Sequence, residues 1–384
     1  MNLTDLCEVF TDGDWIESKD QSKDGIRLIQ TGNIGIGQFI EKDDKAKYIS
    51  IETFERLKCT EVFEGDILVS RLPDPIGRAC IVPNKTERMI TAVDCTICRP
   101  KADIIDREYL CYFMQSKTYY ERLFNNVTGT TRKRISRKNL GNVEIYVPSK
   151  EEQKIIVKKL NLLTKIISNR TKELSYLDNL IKARFVEMFG DVNANDRKWP
   201  IKPLGELCNI VRGASPRPIE KFLGGTVPWI KIGDATENES VYLNSTKEHI
   251  IENGVKKSRL VKSGSLIFAN CGVSLGFARI ITFDGCIHDG WLAMEDVDQK
   301  LDKVFLLHTL NQVTEHFRKV APAGTQPNLN TAIMKSYKQI LPPLELQRTF
   351  IEFAKQVDKS KVAIQKSLAE TQLLFDKLMQ DYFG

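Results

Sequence analysis

The sequence lacks the features of a secreted or membrane-spanning protein. No apolar stretch approaches the roughly 18 residues that mark a membrane-spanning helix. The N-terminal segment MNLTDLCEVFTDGDW has neither a basic region nor an apolar core, so it predicts no secretory signal. The nine cysteines are scattered without the spacing of a disulfide framework, which is typical of reduced thiols. We therefore expect a soluble cytoplasmic protein that makes no contact with a membrane.

The sequence also lacks the short motifs that mark common catalytic sites. It has no G-x-S-x-G, P-loop or H-E-x-x-H motif, and no G-x-G-x-x-G after a predicted strand. Gly35 and Gly37 in GNIGIGQF lack the following glycine and helix that phosphate binding requires, so we interpret them as a turn beside a strand. Cys95 and Cys98 form a C-x-x-C pair, but all four histidines lie in the other half of the chain. We expect both cysteines to be buried structural thiols in a strand, and we expect no metal site.

The length and charge of the chain indicate the number of domains and the kind of partner. A chain of 384 residues exceeds one ordinary hydrophobic core and predicts two or three domains. The formal net charge of +6 and the isoelectric point near 8.7 favour a polyanionic partner. This charge is weaker than that of a strongly basic nucleic-acid-binding protein.

An internal repeat is the strongest pattern in the sequence. VPSKEEQKII and LPPLELQRTF place Gln153 and Gln347 at matching positions, 194 residues apart. GDILVSR (65–71) likewise matches GSLIFAN (264–270), and an apolar run after a glycine predicts a buried strand in each copy. A repeat at half the chain length predicts two copies of one domain.

Each copy also contains an amphipathic segment that follows an aspartate. REYLCYFMQSKTYYERLF follows Asp106, and KVFLLHTLNQVTEHFRKV follows Asp302. Each aspartate is a candidate N-cap, because its side chain can accept hydrogen bonds from the free amides of the first turn. Helical spacing in the second segment predicts one apolar face made of Leu306, Leu310, Val313, Phe317 and Val320.

Proline and glycine are absent from residues 150–189, where apolar residues recur in steps of three and four. Ser149 and Glu152 have capping-box spacing, so we expect the helix to begin there and to end before Gly190. Its predicted seam consists of Ile156, Leu160, Leu163, Ile167, Leu174, Leu177, Ile181 and Met188; the second copy has Phe350, Val357, Ile364, Leu368, Phe375 and Leu378. About 40 residues make a helix of roughly 60 Å. A helix of this length with one apolar seam needs a partner, so we expect the two to pair as an antiparallel coiled coil.

Polar loops precede both predicted helices at matching positions. TGTTRKRIS in the first copy faces AGTQPNLN in the second. Arginine pairs well with guanine edges, and asparagine or glutamine with adenine edges, so these loops are candidate DNA contacts. Further strand-exit loops with arginine or asparagine lie in SRLPDPIGR, RGASPRPI and ANCGVSLGFAR. The candidate DNA-binding residues are Arg71, Arg78, Arg132, Lys133, Arg134, Arg137, Lys138, Arg212, Arg217, Asn270, Arg279, Gln326, Asn328 and Asn330.

These motifs, their order and their repetition resemble the specificity (S) subunits of type I restriction-modification systems along essentially the whole chain. The resemblance implies an α+β fold with an internal pseudo-two-fold repeat, in which two mixed α/β target recognition domains are joined by two long antiparallel helices. The implied domains are residues 1–147 and 192–341, with spacer helices at 148–191 and 342–384. Each domain is then expected to contact one half of a split double-stranded DNA site.

The resemblance further implies that the spacer helices set the gap between half-sites and dock two methyltransferase (M) subunits, with restriction (R) subunits in the full complex. Adenine-N6 methylation with S-adenosylmethionine, and ATP- and Mg-dependent cleavage, then belong to the partners. We expect no cofactor and no catalytic site in this chain, which also lacks the Asn-Pro-Pro-aromatic motif of adenine methyltransferases. Two alternatives stay open from the residues alone: a coiled-coil scaffold that binds proteins, and an enzyme with an unrecognised site.

Overall fold

A computed structural model describes residues 1–125, 127, 129, 133–236, 240–272, 274–321 and 328–384. The chain divides into two compact units. Unit 1 contains residues 1–172 and 365–384, and unit 2 contains residues 173–364. Each unit is a globule with one segment of each of two long helices.

The globule of unit 1 combines short strands with short helices. Its strands are β1 Cys7–Asp12, β2 Gln21–Ser22, β3 Ile26–Ile29, β4 Lys47–Ile49, β5 Glu61–Val62, β6 Ile67–Ser70, β7 Ala79–Ile81, β8 Met89–Thr91 and β9 Cys95–Pro100. Its helices are α1 Ile51–Leu57, α2 Arg107–Phe113, α3 Lys117–Phe124 and α4 Arg137–Gly141. The long helix α5 follows, at Lys150–Phe189.

The globule of unit 2 has the same kinds of element. Its strands are β10 Ile201–Pro203, β11 Asn209–Arg212, β12 Leu223–Ile230, β13 Tyr242–Leu243, β14 Glu248–Ile250, β15 Arg259–Val261, β16 Leu266–Ala269, β17 Ala278–Ile281, β18 Gly285–Ile287, β19 Trp291–Glu295 and β20 Lys338–Ile340. Its helices are α6 Ile232–Thr236, α7 Glu252–Val255, α8 Lys303–Gln312, α9 Thr314–Val320 and α10 Thr331–Ser336. The second long helix is α11, at Leu344–Phe383.

The two globules share their strand order, as the sequence repeat predicts. One sheet has the order β1-β9-β6-β7 in unit 1 and β11-β19-β16-β17-β13 in unit 2. The other has the order β2-β4-β3-β8-β5 in unit 1 and β14-β12-β18-β15 in unit 2. Within the second sheet, β3 runs parallel to β8 and β12 runs parallel to β18. The predicted buried strands are β6 and β16, and every residue of both is buried.

The long helices begin and end where the sequence predicts. The Ser149 amide donates to Glu152 Oε2 at 2.9 Å, and the Glu152 amide donates back to Ser149 Oγ at 3.3 Å, which completes the capping box. In unit 1, Leu160 of α5 shares a core with Phe383 of α11. In unit 2, Phe185 of α5 shares a core with Phe350 of α11. In each unit, therefore, the first part of one long helix packs with the last part of the other.

The amphipathic segments are shorter helices than the sequence predicts. Both aspartates are N-caps: Asp106 accepts from the amides of Glu108 and Tyr109, and Asp302 accepts from the amide of Val304. Each segment, however, divides into two helices, α2 with α3 and α8 with α9. The prediction of one continuous apolar face is wrong at its end, because Val320 is 42% exposed.

The C-x-x-C pair lies in β9, as predicted. Cys95 and Cys98 are both fully buried, and they belong to cores on opposite faces of the sheet. Burial raises the pKa of the Cys95 thiol to about 12. The Gly35 amide donates to Gln38 O at 2.8 Å, which makes GNIGIGQF a turn. The first motif therefore lies in a buried strand and the second in a turn.

Candidate nucleic-acid interface

One edge of the first sheet in unit 1 brings together several chain segments with charged side chains. At this edge β1 ends at Asp12 and β6 ends at Ser70, whereas β9 begins at Cys95. The next residue after β6 is Arg71, and the residue before β9 is Asp94. We call this set of strand ends and loops, with residues 133–138, the unit 1 edge.

Arg71 is the centre of the unit 1 edge and is almost fully buried, with 4% exposure. Its guanidinium donates to Val93 O at 2.7 Å and to Ile135 O at 3.3 Å, and it lies 3.2 Å from Asp12 Oδ1. The Ile135 amide in turn donates to Arg71 O. Arg71 therefore anchors the end of the basic loop to the strand ends.

The basic loop presents exposed cations around this anchor. Lys133, Arg134, Arg137 and Lys138 are all exposed. Arg134 Nη2 lies 3.5 Å from Asp94 Oδ1, and Arg137 Nη1 lies 3.9 Å from Asp12 Oδ2. Long, exposed ion pairs of this kind are weak. Arg132 lies outside the described residues.

Arg78 is also buried, at 9% exposure, and its hydrogen bonds within the described part of the chain go to backbone carbonyls of its own unit. Its guanidinium donates to Thr31 O, Ile34 O, Pro73 O and Pro75 O at 2.6–3.2 Å. It thus fastens the loop after β6 to the turn after β3. A direct contact between Arg78 and DNA would require these bonds to break, and that contact stays a prediction.

Unit 2 has the corresponding edge, where β11 ends at Arg212, β16 ends at Ala269 and β19 begins at Trp291. Asn270 follows β16 as Arg71 follows β6, and it is fully buried. Its Nδ2 donates to Leu329 O at 3.1 Å and to Asn328 Oδ1 at 3.2 Å, and its carbonyl accepts from the Leu329 amide at 2.7 Å. Asn270 therefore anchors the polar loop of unit 2 where Arg71 anchors that of unit 1.

Two arginines of the unit 2 edge meet at Asp289. Arg212 Nε donates to Asp289 O at 3.0 Å, and Arg217 Nη2, on an 81% exposed side chain, lies 3.5 Å from Asp289 Oδ2. Burial opposes the charge on Asp289, but a hydrogen bond from Ser215 and the charges of His288 and Arg217 outweigh burial and lower the pKa of Asp289. The carboxylate is thus ionised and orients Arg217.

The remaining candidates lie in three different settings. Asn330 caps α10 by accepting from the Ile333 amide at 2.9 Å, and Asn328 lies against Asn270. Arg279 instead stacks 4.6 Å above the Phe277 ring, in the wall of a cavity of about 420 Å³ that also contacts α5, α8 and α11. The structure therefore does not bring Arg279 to the unit 2 edge. Gln326 lies outside the described residues.

Sequence reasoning missed the residues that orient these arginines, above all Asp12, Asp94 and Asp289. A signal for the edges was present in two glycines at matching positions, Gly13 and Gly213. A Cβ there would lie 2.2 Å from Thr91 O and 2.1 Å from His288 O, so both strand exits require glycine. The close approach of two backbones cannot be recognised in one sequence without knowing which strands are neighbours.

Among the described residues, no group of three or more His, Cys, Asp or Glu side chains is arranged to hold a metal ion. No helix in the described part of the chain is both long and apolar enough to span a bilayer.

Comparison with known proteins identifies the family. The model of the type I restriction modification DNA specificity domain matches this chain twice, at residues 1–176 and 196–372. The putative type I restriction enzyme MjaX specificity subunit of Methanocaldococcus jannaschii is 22% identical over 93% of this chain and 85% of its own length. The HindI specificity subunit of Haemophilus influenzae is 21% identical over 74% of this chain and 78% of its own length.

Solved structures show the same fold. An S subunit of a type I restriction-modification system from M. genitalium covers all of this chain, and 95% of that subunit is matched, with a TM-score of 0.59 at 16% identity. A chain from a study of complex assembly and conformational transition of the type I R-M system gives a TM-score of 0.60 at 18% identity, with all of this chain and 96% of that chain matched. The chain has a mixed α/β fold with two specificity domains and belongs to the type I restriction-modification specificity subunits, the non-catalytic DNA-recognition components of their complexes.

Proposed function

We propose that this chain binds a bipartite double-stranded DNA site, with one half-site at each edge. The observation that carries the proposal is that an anchored polar loop and exposed cations occur at the same sheet edge in both units. In unit 1, Arg71 anchors a loop with Lys133, Arg134, Arg137 and Lys138. In unit 2, Asn270 anchors a loop with Asn328 and Asn330, near Arg212 and Arg217. Phosphate contacts from the cations hold register, and base-edge contacts choose sequence.

The two edges are expected to bind different half-sites, because their polar groups differ. The described part of the unit 1 loop offers arginine and lysine, whereas that of unit 2 offers asparagine. Arginine favours guanine, and asparagine favours adenine. A mismatched base pair typically costs about 1–3 kcal/mol, so two short half-sites together give a selectivity that neither gives alone. Arg71, Arg78 and Asn270 support this recognition mainly by positioning loops.

We further propose that α5 and α11 pair as an antiparallel coiled coil, relating the two recognition domains as a pseudo-two-fold repeat. In this proposal the domains are residues 1–147 and 192–341, and the helices set the gap between half-sites. Rigidity supports this role, since a spacer defines a gap only if it does not bend, and both helices lack proline and glycine throughout.

The same helices are proposed to dock two methyltransferase subunits. Support comes from apolar side chains left exposed on both helices, which a docked subunit would bury. In unit 1 these are Ile155, Leu162, Leu373 and Leu374, and in unit 2 they are Tyr176, Leu180, Val186 and Val362. Restriction subunits complete the assembly, and the partners supply S-adenosylmethionine, ATP and Mg chemistry. We propose the cytoplasm as its location, because the substrate is chromosomal DNA.

The decisive test is to co-express this chain with the methyltransferase of its own system and to map methylated adenines across the host genome. The expected result is one new split motif with two unlike halves and a fixed gap. A control strain that carries the methyltransferase alone should show none. A stable complex that adds no methylation would contradict DNA recognition, and a chain that fails to bind the methyltransferase would favour a scaffold for other proteins.

A further inference from the structure

One buried glutamine in each unit makes the same three hydrogen bonds. In unit 1, Gln153 in the first turns of α5 is fully buried. Its Oε1 accepts from the Asp106 amide at 2.6 Å. Its Nε2 donates to Ile104 O at 3.1 Å and to Pro148 O at 2.9 Å. One side chain thus joins the long helix, the segment before it and the segment that leads into α2.

Unit 2 repeats this arrangement with Gln347, also fully buried, in the first turns of α11. Its Oε1 accepts from the Asp302 amide at 2.8 Å. Its Nε2 donates to Lys300 O at 3.0 Å and to Pro342 O at 2.8 Å. The aspartate whose amide is bound caps the neighbouring helix in both units. We call each glutamine with its three backbone partners a latch.

The chemistry of the latch is specific to glutamine. One acceptor and two donors are needed at the end of the same side chain, and a terminal amide provides this set. Glutamate would keep the acceptor but would place a carboxylate against two carbonyl oxygens. Methionine has a similar length and can fill the space, but it cannot satisfy three buried backbone groups, which are costly to leave unpaired.

The latch lies at the joint between each globule and its long helix. On the helix side it is in the first turns, and on the globule side it holds the entry to α2 or α8. Residues in the next turns of the helix add apolar contacts, such as Leu160 in unit 1 and Phe350 in unit 2. Apolar contacts are non-directional and tolerate sliding, whereas three hydrogen bonds to one planar amide fix an orientation.

We infer that Gln153 and Gln347 are positioning residues that fix the angle between each recognition domain and its long helix, and so restrict the complex to one gap between half-sites. The inference rests on the proposed function, in which the helices act as spacers. A second domain adds affinity only when geometry lets both domains engage at once. Loosening one joint should therefore widen the range of accepted gaps without altering either half-site.

The first experiment compares gap tolerance in the assembled methyltransferase complex. Binding is measured on duplexes that carry the mapped half-sites at the native gap and at gaps one base pair shorter and longer. The wild type should bind duplexes with altered gaps about tenfold or more weakly, because its two domains cannot then contact both half-sites at once. Q153M and Q347M should each reduce this discrimination to about threefold or less. The sequence of both half-sites should stay unchanged.

The charge-matched variants separate the latch from a general effect of substitution. Q153E introduces a carboxylate into the latch, whereas Q365E makes the same change at an exposed position of α11. The expected result is relaxed gap discrimination for Q153E and native discrimination for Q365E. Native discrimination in every folded latch variant would overturn the inference. Loss of the fold in all latch variants, with Q365E intact, would also overturn it, since the glutamines would then be stability residues only.

A distance measurement within unit 1 tests the latch without DNA. Spin labels at E52C on α1 and K158C on α5, with the half-exposed Cys271 replaced by serine, report the position of the globule on its helix. One narrow distance distribution is expected with Gln153 and a broader one with Q153M. An unchanged distribution would overturn the inference. If the wild type directs no split-site methylation but the distribution broadens, the proposed function fails and the latch geometry stands.

Discussion

Unit 1 and unit 2 share a strand order but bury different chemistry where the globule meets the long helices. In unit 1, Tyr112 of α2 donates to Asn161 Oδ1 at 2.6 Å and lies 3.3 Å from Thr164 Oγ1. In unit 2 the matching position, six residues after the capping aspartate, is His308 of α8. At this position unit 1 therefore has hydrogen bonds between uncharged side chains.

The unit 2 joint is charged. Beside His308, Lys361 of α11 is almost fully buried and forms an ion pair with Asp178 of α5, and Asp358 lies near the same ammonium group. The His308 Nε2 has no hydrogen-bond partner among the described groups. The comparison shows that the same backbone arrangement can contain either hydrogen bonds between uncharged side chains or a buried ion pair. The ion pair and His308 make the stability of unit 2 depend on the Lys361–Asp178 contact and on pH.

The largest expected effect comes from breaking the buried pair. Lys361→Ala leaves Asp178 and Asp358 facing each other without a cation. It should lower the free energy of unfolding of unit 2 by about 3 kcal/mol, at the low end of the range for broken buried pairs because Asp178 is partly exposed. Urea denaturation followed by tryptophan fluorescence measures the change. Lys355→Ala removes an exposed pair on the same helix and should cost less than about 1 kcal/mol. Equal losses would contradict the distinction.

The second effect is a pH dependence that only unit 2 should show. Burial, with a smaller contribution from the charge of Lys361, lowers the pKa of His308 to about 4. In the unfolded chain the imidazole binds a proton near pH 6.5, whereas in the folded protein it does so only near pH 4. The free energy of unfolding therefore has its full value above pH 6.5 and decreases as the pH falls from 6.5 towards 4. Between pH 7 and pH 5 the loss should be about 2 kcal/mol.

Replacing the imidazole isolates this contribution. In His308→Gln, the extra loss of stability between pH 7 and pH 5 should disappear, while the common loss from carboxylates remains. Urea denaturation at both pH values gives the comparison. A variant with the same pH dependence as the wild type would mean that folding does not lower the pKa of His308.

The third prediction concerns the stability lost when either loop anchor, Asn270 or Arg71, is replaced. Asn270→Ala leaves the buried Leu329 carbonyl without its side-chain donor and should cost about 1–3 kcal/mol. Arg71→Ala removes two hydrogen bonds and an ion pair with the partly exposed Asp12, so its cost should exceed that of Asn270→Ala within the same range. Thermal denaturation measures both, and Glu55→Ala on the exposed surface of α1 serves as a near-neutral reference. A larger cost for Asn270→Ala would reverse the comparison.

The smallest effect on stability concerns the exposed loop, where the change should appear in DNA binding alone. Replacing Arg132, Lys133 and Arg134 by alanine should leave unfolding unchanged within about 0.5 kcal/mol, as for most surface sites. It should reduce the slope of log affinity against log salt by up to about 2.7, since each phosphate contact contributes about 0.9. Alanine at Lys158, Lys165 and Lys172 on α5 removes the same charge and should preserve the slope. An equal slope in both triple variants would exclude this loop as a phosphate contact.

Much of the fold follows from local patterns in the sequence. The capping box at Ser149 and Glu152 begins α5, the N-cap aspartates begin α2 and α8, and the apolar runs form β6 and β16. The helix seams were predicted less accurately. In the run Ile155–Ile156–Val157, for example, Val157 is the most buried. Three adjacent apolar residues do not define one face, and the choice depends on what packs against the helix.

The sequence predicted where the polar loops lie along the chain but not which groups their side chains contact. The repeat identified both polar loops, and the structure brings them to matching sheet edges. It places Arg71, Arg78 and Asn270 in buried positions among backbone carbonyls, where they anchor loops. An arginine in a polar loop has the same appearance in sequence whether it contacts a phosphate or its own backbone, because the distinction depends on segments distant in the chain.

The sequence by itself determined the repeat, the two long helices, their capped beginnings and the buried strands, since each depends on residues close together in the chain. Only the tertiary structure decided the rest. It put Gln153 against Asp106 and Gln347 against Asp302, and it gave one helix joint a buried ion pair where the other has hydrogen bonds between uncharged groups. It also placed three candidate contact residues, Arg71, Arg78 and Asn270, in buried positions where they anchor loops. Those outcomes depend on which distant backbone groups need a partner, and chain folding alone brings those groups together.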